Sequence, residues 1–341
     1  MNHAPLLLAL LLCSSSALLA QKEKEKEEIP EGWRFGVGIG LDVSQLLNIN
    51  PRQGAAQNRL GLEGAFNSFA NLKRGRQAWD NTVLWQFGLQ RIGSGTVTQG
   101  SNDKVPFQKT IDEIRLASKY GIQIRPEGRV YYSVNGTFMS QILPTYQFPD
   151  RASGNYVTDF LDTGRSPRSK FLSPATATAS LGIDYKPVEE LSIFFSPLSS
   201  KFIIVANDSI AARGVHGNEV SGEANAVGIY PAYKNVDAQL GALLQVQYKT
   251  SFLTDDRATF TSNLTLYANY LRDPQNVDVD WLNGLSFALT EHLQINLFVN
   301  AFYDDNIRVQ VTDNDQPNGT FGLGQRVSIT QQLLISYART F

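Results

Sequence analysis

Apolar and polar residues alternate along most of this chain, and the run from Phe321 to Phe341 shows it most plainly. Phe321, Leu323, Val327, Ile329, Leu333, Ile335, Tyr337 and Phe341 fall on every second position, interrupted on that face by Gln325, Gln331 and Arg339. The positions between them include Gly322, Gly324, Ser328, Thr330, Ser336, Ala338 and Thr340. Successive side chains of a strand point to opposite faces, so the pattern is a strand with one greasy face and one small, polar face. A strand that crosses a bilayer needs roughly 9–11 residues. Lipid offers no partner to an unpaired edge, so such strands must close into a barrel.

The same period marks twelve segments: Trp33–Leu47, Arg59–Leu72, Trp79–Ile92, Ile111–Arg125, Arg129–Leu143, Pro174–Tyr185, Leu191–Ala206, Val236–Lys249, Ala258–Leu271, Val277–Leu289, Leu293–Val311 and Phe321–Phe341. The long connections 93–106, 145–173, 207–235 and 312–320 all follow odd-numbered segments. Pro126-Glu127-Gly128 and Thr290-Glu291-His292 follow even ones. Outer-membrane barrels have short periplasmic turns and long outer loops, so the sorting fits a chain that enters from the periplasm. The expected fold is all-β, a transmembrane antiparallel up-and-down β-barrel of about twelve strands in a bacterial outer membrane.

The N-terminal region changes the picture only by being set aside. Residues 1–20 read as a cleaved signal peptide, with an apolar run Leu6–Leu12 too short to span a bilayer. Residues 21–32 (QKEKEKEEIPEG) form a charged leader that cannot build a core and is expected to lie disordered in the periplasm; residues 33–341 are the barrel. Cys13 is the single cysteine and falls within the signal, which removes disulfides and thiolate metal sites from the mature chain. A net charge of -2 from mixed residues gives no electrostatic case for nucleic acid.

Candidate chemistry is sparse. A Ser–His hydrolase of the membrane needs a histidine within reach of its nucleophile. His3 lies in the signal, His216 in a long outer loop and His292 in a tight turn. The acidic pairs Asp255-Asp256, Asp278 with Asp280, Asp304-Asp305 and Asp313 with Asp315 read as turn chemistry. The 304–315 region could also hold calcium, since hard cations prefer clustered carboxylates. No cofactor is expected.

The lumen is more informative. Taking the smaller, polar face as inward places Arg115, Lys119, Arg125 and Arg129 on the fourth and fifth strands. Asp42 and Glu63 come from the first two, Asp184 and Asp237 from the sixth and eighth. These charges either line a selective pore or neutralise one another and seal it. Ser196-Pro197-Leu198 interrupts the seventh strand, and proline cannot donate to a ladder, so a bulge or local opening is expected there. The outer loops carry Tyr146, Phe148, Tyr156, Phe160, Phe171, Tyr230 and Tyr233, a density that suits packing on each other, on a ligand or on a protein partner.

Ala78-Trp79-Asp80-Asn81, Ile193–Ser200 (IFFSPLSS) followed by Lys201, and Gly217-Asn218-Glu219 resemble an uncharacterised group of Bacteroidota outer-membrane barrels, domain of unknown function 3078. The stretch 48–56 departs from that group, which tends to carry an Asn-Trp-Gly-Gly-like segment there. The resemblance implies fold and location and transfers no catalytic residue. The strand irregularity is also distantly similar to that of long-chain fatty-acid transporters, where such a break provides a side exit. The sequence thus points to a non-enzymatic barrel that passes a small solute, hydrophobic ones included, through outer-membrane lipid. The alternatives are a sealed scaffold barrel whose outer loops recruit a protein, and a lipid-modifying enzyme.

Overall fold

The computed structural model describes residues 31–46, 59–92, 107–126, 128–146, 167–272, 274–305, 309–312 and 320–340. Residues 1–30, with the expected signal and most of the leader, lie outside that set. Twelve strands form the closed barrel. They are β1 (Gly32–Leu46), β2 (Arg59–Arg74), β3 (Gln77–Ile92), β4 (Gln108–Gln123), β5 (Val130–Ser140) and β6 (Ala175–Val188). Then follow β7 (Leu191–Ile204), β8 (Val236–Phe252), β9 (Ala258–Asn269), β10 (Val277–Ala288), β11 (Leu293–Tyr303) and β12 (Ser328–Thr340). Each pairs antiparallel with its sequence neighbours, and β1 closes on β12 from Gly38 opposite Thr340 to Asp42 opposite Ser336.

The last two strands are shorter than the alternation suggests. Val309–Thr312 and Thr320–Gly324 leave the wall and pair with each other as a hairpin of their own. The apolar period therefore runs on through a loop hairpin, which needs the same two-residue repeat as the wall.

The ladder assigns every side chain to a face. Trp33, Phe35, Ile39 and Leu41 of β1 point the same way as Leu62 and Phe66 of β2, Trp79 of β3, and Tyr132 and Val134 of β5. Phe35 is 70% exposed and Ile329 of β12 71%, values that a water-soluble sheet would have to cover. Lipid covers them here. Several polar groups on this face find partners within the wall, as a bilayer favours. The Trp79 indole donates to Ser118 Oγ at 2.9 Å, and Ser118 donates to Asn81 Oδ1 at 2.7 Å. The Trp281 indole donates to Ser262 Oγ at 3.0 Å.

One end of the barrel carries tight turns. Gly75 takes φ 54° in the β2–β3 hairpin, a conformation open to a residue without Cβ. The β8–β9 turn places Asp255 and Asp256 at φ 60° and 54°, which short acidic side chains tolerate better than most. The opposite end carries all the long connections. A closed antiparallel barrel of even strand number with an apolar outer face is the outer-membrane type of span, its short turns periplasmic.

Candidate functional site

Alternation turns the second set of residues inward, and the structure joins some of the charged ones. Lys119 on β4 reaches Asp184 on β6, with Nζ 2.7 Å from Oδ2; their side chains are 18% and 2% exposed. Lys186 stands 3.7 Å from the same carboxylate. Ser192 on β7 donates to Asp184 Oδ1 at 2.7 Å and accepts from Lys119 at 3.4 Å. The Lys119 ammonium also sits 4.9 Å from the Phe194 ring centre, a cation–π contact strengthened by poor hydration.

Asp237 is buried and pairs with Arg272, 3.2 Å away, from the connection after β9. The same guanidinium holds Glu219 of the 205–235 loop at 2.7 Å, and Lys234 holds it at 2.8 Å. These pairs tie an outer loop to the barrel mouth. Within that loop Asn218 donates to the carbonyls of Ala211 and Lys234, at 2.9 and 3.0 Å, and closes it around a short helix, α1 (Asp208–Ala211). His216 stands there with Nε2 3.2 Å from the Arg168 carbonyl.

Arg115 behaves differently. It bonds to Glu113 two positions away on its own strand, yet its side chain remains 49% exposed halfway along β4. Across the barrel on β10, Asp280 is close enough to act on it by charge. Asp280 accepts from Asn300 at 2.8 Å. Glu63 is half-buried on the inward face of β2, opposite Asp42 of β1; the Asp42 side chain lies outside the described residues.

Arg125 and Arg129 are not in the wall. β4 ends at Gln123 and β5 starts at Val130. The Gly128 amide closes the turn onto the Arg125 carbonyl at 2.9 Å, and Ile124 donates to Val130 at 2.9 Å. Pro126, with no amide hydrogen, suits a turn better than a ladder. Both arginines are therefore exposed on the periplasmic rim.

At Ser196-Pro197-Leu198 the ladder slips. Leu181 faces Leu198 and Ile183 faces Phe195, with a second slip between Gly241 and Leu243 on β8. Side chains bridge part of the slip. Ser196 Oγ lies 2.8 Å from both the Leu181 and Leu198 carbonyls, and the Tyr270 hydroxyl donates to Pro197 at 3.1 Å. Gly182 lies so tight against the Phe195 carbonyl and the Ser196 backbone that a Cβ there would collide. The wall is stitched at this bulge.

Several inward groups escaped the sequence reading. Asn135 on β5 donates to Gln245 on β8 at 3.1 Å, reaching over two strands. Lys201 on β7 reaches Asp278 on β10 at 3.3 Å. Phe194, Leu243 and Tyr267 form a buried apolar cluster inside the lumen. Their parity was readable; that they fold onto one another was not. The Asp278, Asp304 and Asp305 carboxylates approach within 4.8 Å, with Lys201 already on Asp278. Asp313 and Asp315 lie outside the described residues.

Several solved structures show distant similarity to this chain. The COG4313 outer membrane channel from Pseudomonas putida F1 is 10% identical, with 94% of this chain and 100% of that one covered at a TM-score of 0.39. The translocator domain of the autotransporter NalP from Neisseria meningitidis is 10% identical over 98% and 95%, at 0.35. The P. putida toluene transporter TodX is 10% identical over 92% and 91%, at 0.28. No curated protein matches. The barrel assignment rests on this chain's own ladder. Residues 47–146 match the family described as Protein of unknown function (DUF3078), and the chain is an outer-membrane β-barrel.

Proposed function

We propose that the protein is a passive, non-enzymatic channel for a small polar or charged solute. The observation that carries this is Arg115, a cation left about half exposed at the middle of an inward-facing strand. Such exposure inside a closed wall supports a water-accessible lumen. Asn67, Thr82 and Asn263 share it, each exposed and on the inward face. Arg115 with Glu113, facing Asp280 and Asn300, forms a girdle of fixed charge that a permeating ion must pass.

A lateral exit for a hydrophobic solute gains no support from the stitched bulge at Pro197. The sealed-scaffold reading has its own support in the Phe194–Leu243–Tyr267 cluster, which fills part of the lumen. Single-channel recording of the refolded barrel in a planar bilayer separates the two. Discrete steps whose ion preference shifts toward cations in Arg115→Ala support the channel; a silent bilayer containing folded barrel favours the scaffold.

A further inference from the structure

The wall formed by β3, β4 and β5 has a pocket on each side. The inward one, between Lys119, Tyr131, Ser133 and Asp184, encloses only about 10 Å³. The outward one is a groove of about 490 Å³ lined by Trp79, Ser118, Tyr120, Val134 and Gly136, open to lipid. Its floor comes from small residues: Gly136 pairs with Ser118, between the larger Tyr120–Val134 and Leu116–Phe138 pairs. A dent of this kind on a membrane face admits one acyl chain rather than a flat annulus.

The rim beside the groove supplies the second half of a ligand. The β2–β3 turn carries Arg74 and Arg76, and the β4–β5 turn carries Arg125 and Arg129. The two basic turns hold one acid, Glu127, whereas the other turns at this end carry more acid than base, with Glu189-Glu190, Asp255-Asp256 beside Arg257, and Glu291. Positive charge is thus gathered in the sector that holds the groove. Arg76 is fixed by donating to the Gln123 and Ile124 carbonyls at 2.8 and 2.7 Å, yet stays exposed. Trp79 lies three residues from Arg76, or about 10 Å at strand rise. That depth falls inside one leaflet, which is about half of a ~30 Å hydrocarbon core.

We infer that this sector binds one anionic glycerophospholipid of the periplasmic leaflet. An acyl chain lies in the Trp79–Gly136 groove, and the phosphate and anionic headgroup sit against Arg74, Arg76 and Arg125. Basic rim residues recognise an anionic head by charge, each worth roughly fivefold in affinity near the surface. The groove gives the site its stoichiometry of one.

The test is native mass spectrometry of the full barrel titrated with phosphatidylglycerol or with phosphatidylethanolamine. The expected result is a single retained phosphatidylglycerol, held more tightly than phosphatidylethanolamine. Gly136→Leu fills the groove and should lower retention of both lipids at least several-fold. A Cβ at Gly136 meets nothing closer than 3.9 Å, so the added side chain has room to project into lipid. Should Gly136→Leu fail the heat-modifiability check for folding, the Arg74→Gln/Arg125→Gln variant carries the test, because both side chains are exposed. That variant should lose the preference for phosphatidylglycerol. Equal retention of the two lipids, or retention unchanged in the folded variants, would mean ordinary annular lipid and overturn the site.

Discussion

The inner faces of two walls of this barrel are built on opposite plans. From β5 to β9 most of the lumen side is packed, with Ser133, Asn135, Ser180, Asp184, Phe194, Ser199, Leu243 and Tyr267 all buried, although Met139 and Asn263 stay exposed. From β1 to β4 it is lined by glycines and by side chains that still meet solvent, among them Asn67, Phe69, Thr82 and Arg115. Gly36 and Gly38 leave room on β1, into which Phe69 and Asn67 of β2 fold. Both walls keep the same apolar outer face. The alternation that inserts a strand into lipid therefore says nothing about how its other face is used, and one ring here combines a largely packed inner face with one whose side chains stay exposed.

The strongest challenge to that contrast is to unpair the packed wall. Asp184→Ala leaves Lys119 and Lys186 without their shared carboxylate. Removing one partner of a buried pair costs about 3–5 kcal/mol, which denaturant titration of the barrel in micelles should show as a large fall in midpoint. Asp184→Leu with Lys119→Met should recover most of it, since an apolar pair of similar volume avoids the desolvation cost. An Asp184→Ala midpoint near that of the parent would mean the pair is not buried in solution.

Next in size is the bulge. Gly182→Ala drives a Cβ into the Phe195 carbonyl, and overpacking of this kind costs about 1–3 kcal/mol. The same titration reads it. Gly136→Ala, whose added methyl meets nothing closer than 3.9 Å, is the control and should shift the midpoint far less. Equal shifts would indicate that glycine in this barrel matters for strand formation rather than for the bulge.

On the open wall the expectation reverses. Arg115→Ala should change stability by less than about 1 kcal/mol, because an ion pair this exposed is screened by water. Its effect should appear in conduction, as a shift toward cations in the reversal potential under a salt gradient. A stability loss as large as that of Asp184→Ala would erase the distinction between the walls.

Legibility in the sequence followed the same divide. Strand period and loop lengths are local, so the count of twelve, the direction of the wall and most boundaries could be read from alternation. Lys119 and Asp184 were placed on the inward face by parity alone, but their contact depends on barrel register and needed the fold. Arg125 and Arg129 were misplaced because an arginine at a strand end and one in the adjoining turn look alike in sequence; Pro126 was the available signal. The partnership of Asn135 with Gln245 spans 110 residues and has no local trace. The outward groove was invisible for another reason: Gly136 and Ser118 are unremarkable singly and make a dent only when paired.

The smallest expected effect lies outside both walls, in the 205–235 loop, and asks whether the packed plan extends past the membrane. His216 is held below the ordinary imidazole range chiefly by burial, against the opposing bond to the Arg168 carbonyl. As pH falls below ~6.5 the unfolded loop takes up a proton that the folded loop refuses, so loop stability drops until the folded pKa is passed. Glu219 is held below its usual value, first by the hydrogen bond from Lys234. Its contribution is intact above the carboxylate range and is lost as pH falls through the depressed pKa. The loop should therefore loosen in two stages on acidification, the first of which the strands, which carry no histidine, do not share. Hydrogen exchange of amides 208–235, corrected for intrinsic rate, should lose several-fold protection between pH 7.5 and 5.5. His216→Gln should remove that first stage and leave the second, below pH ~4.5. A loop as insensitive to acid as β5–β9 would mean that the contacts of His216 and Glu219 do not govern its folding.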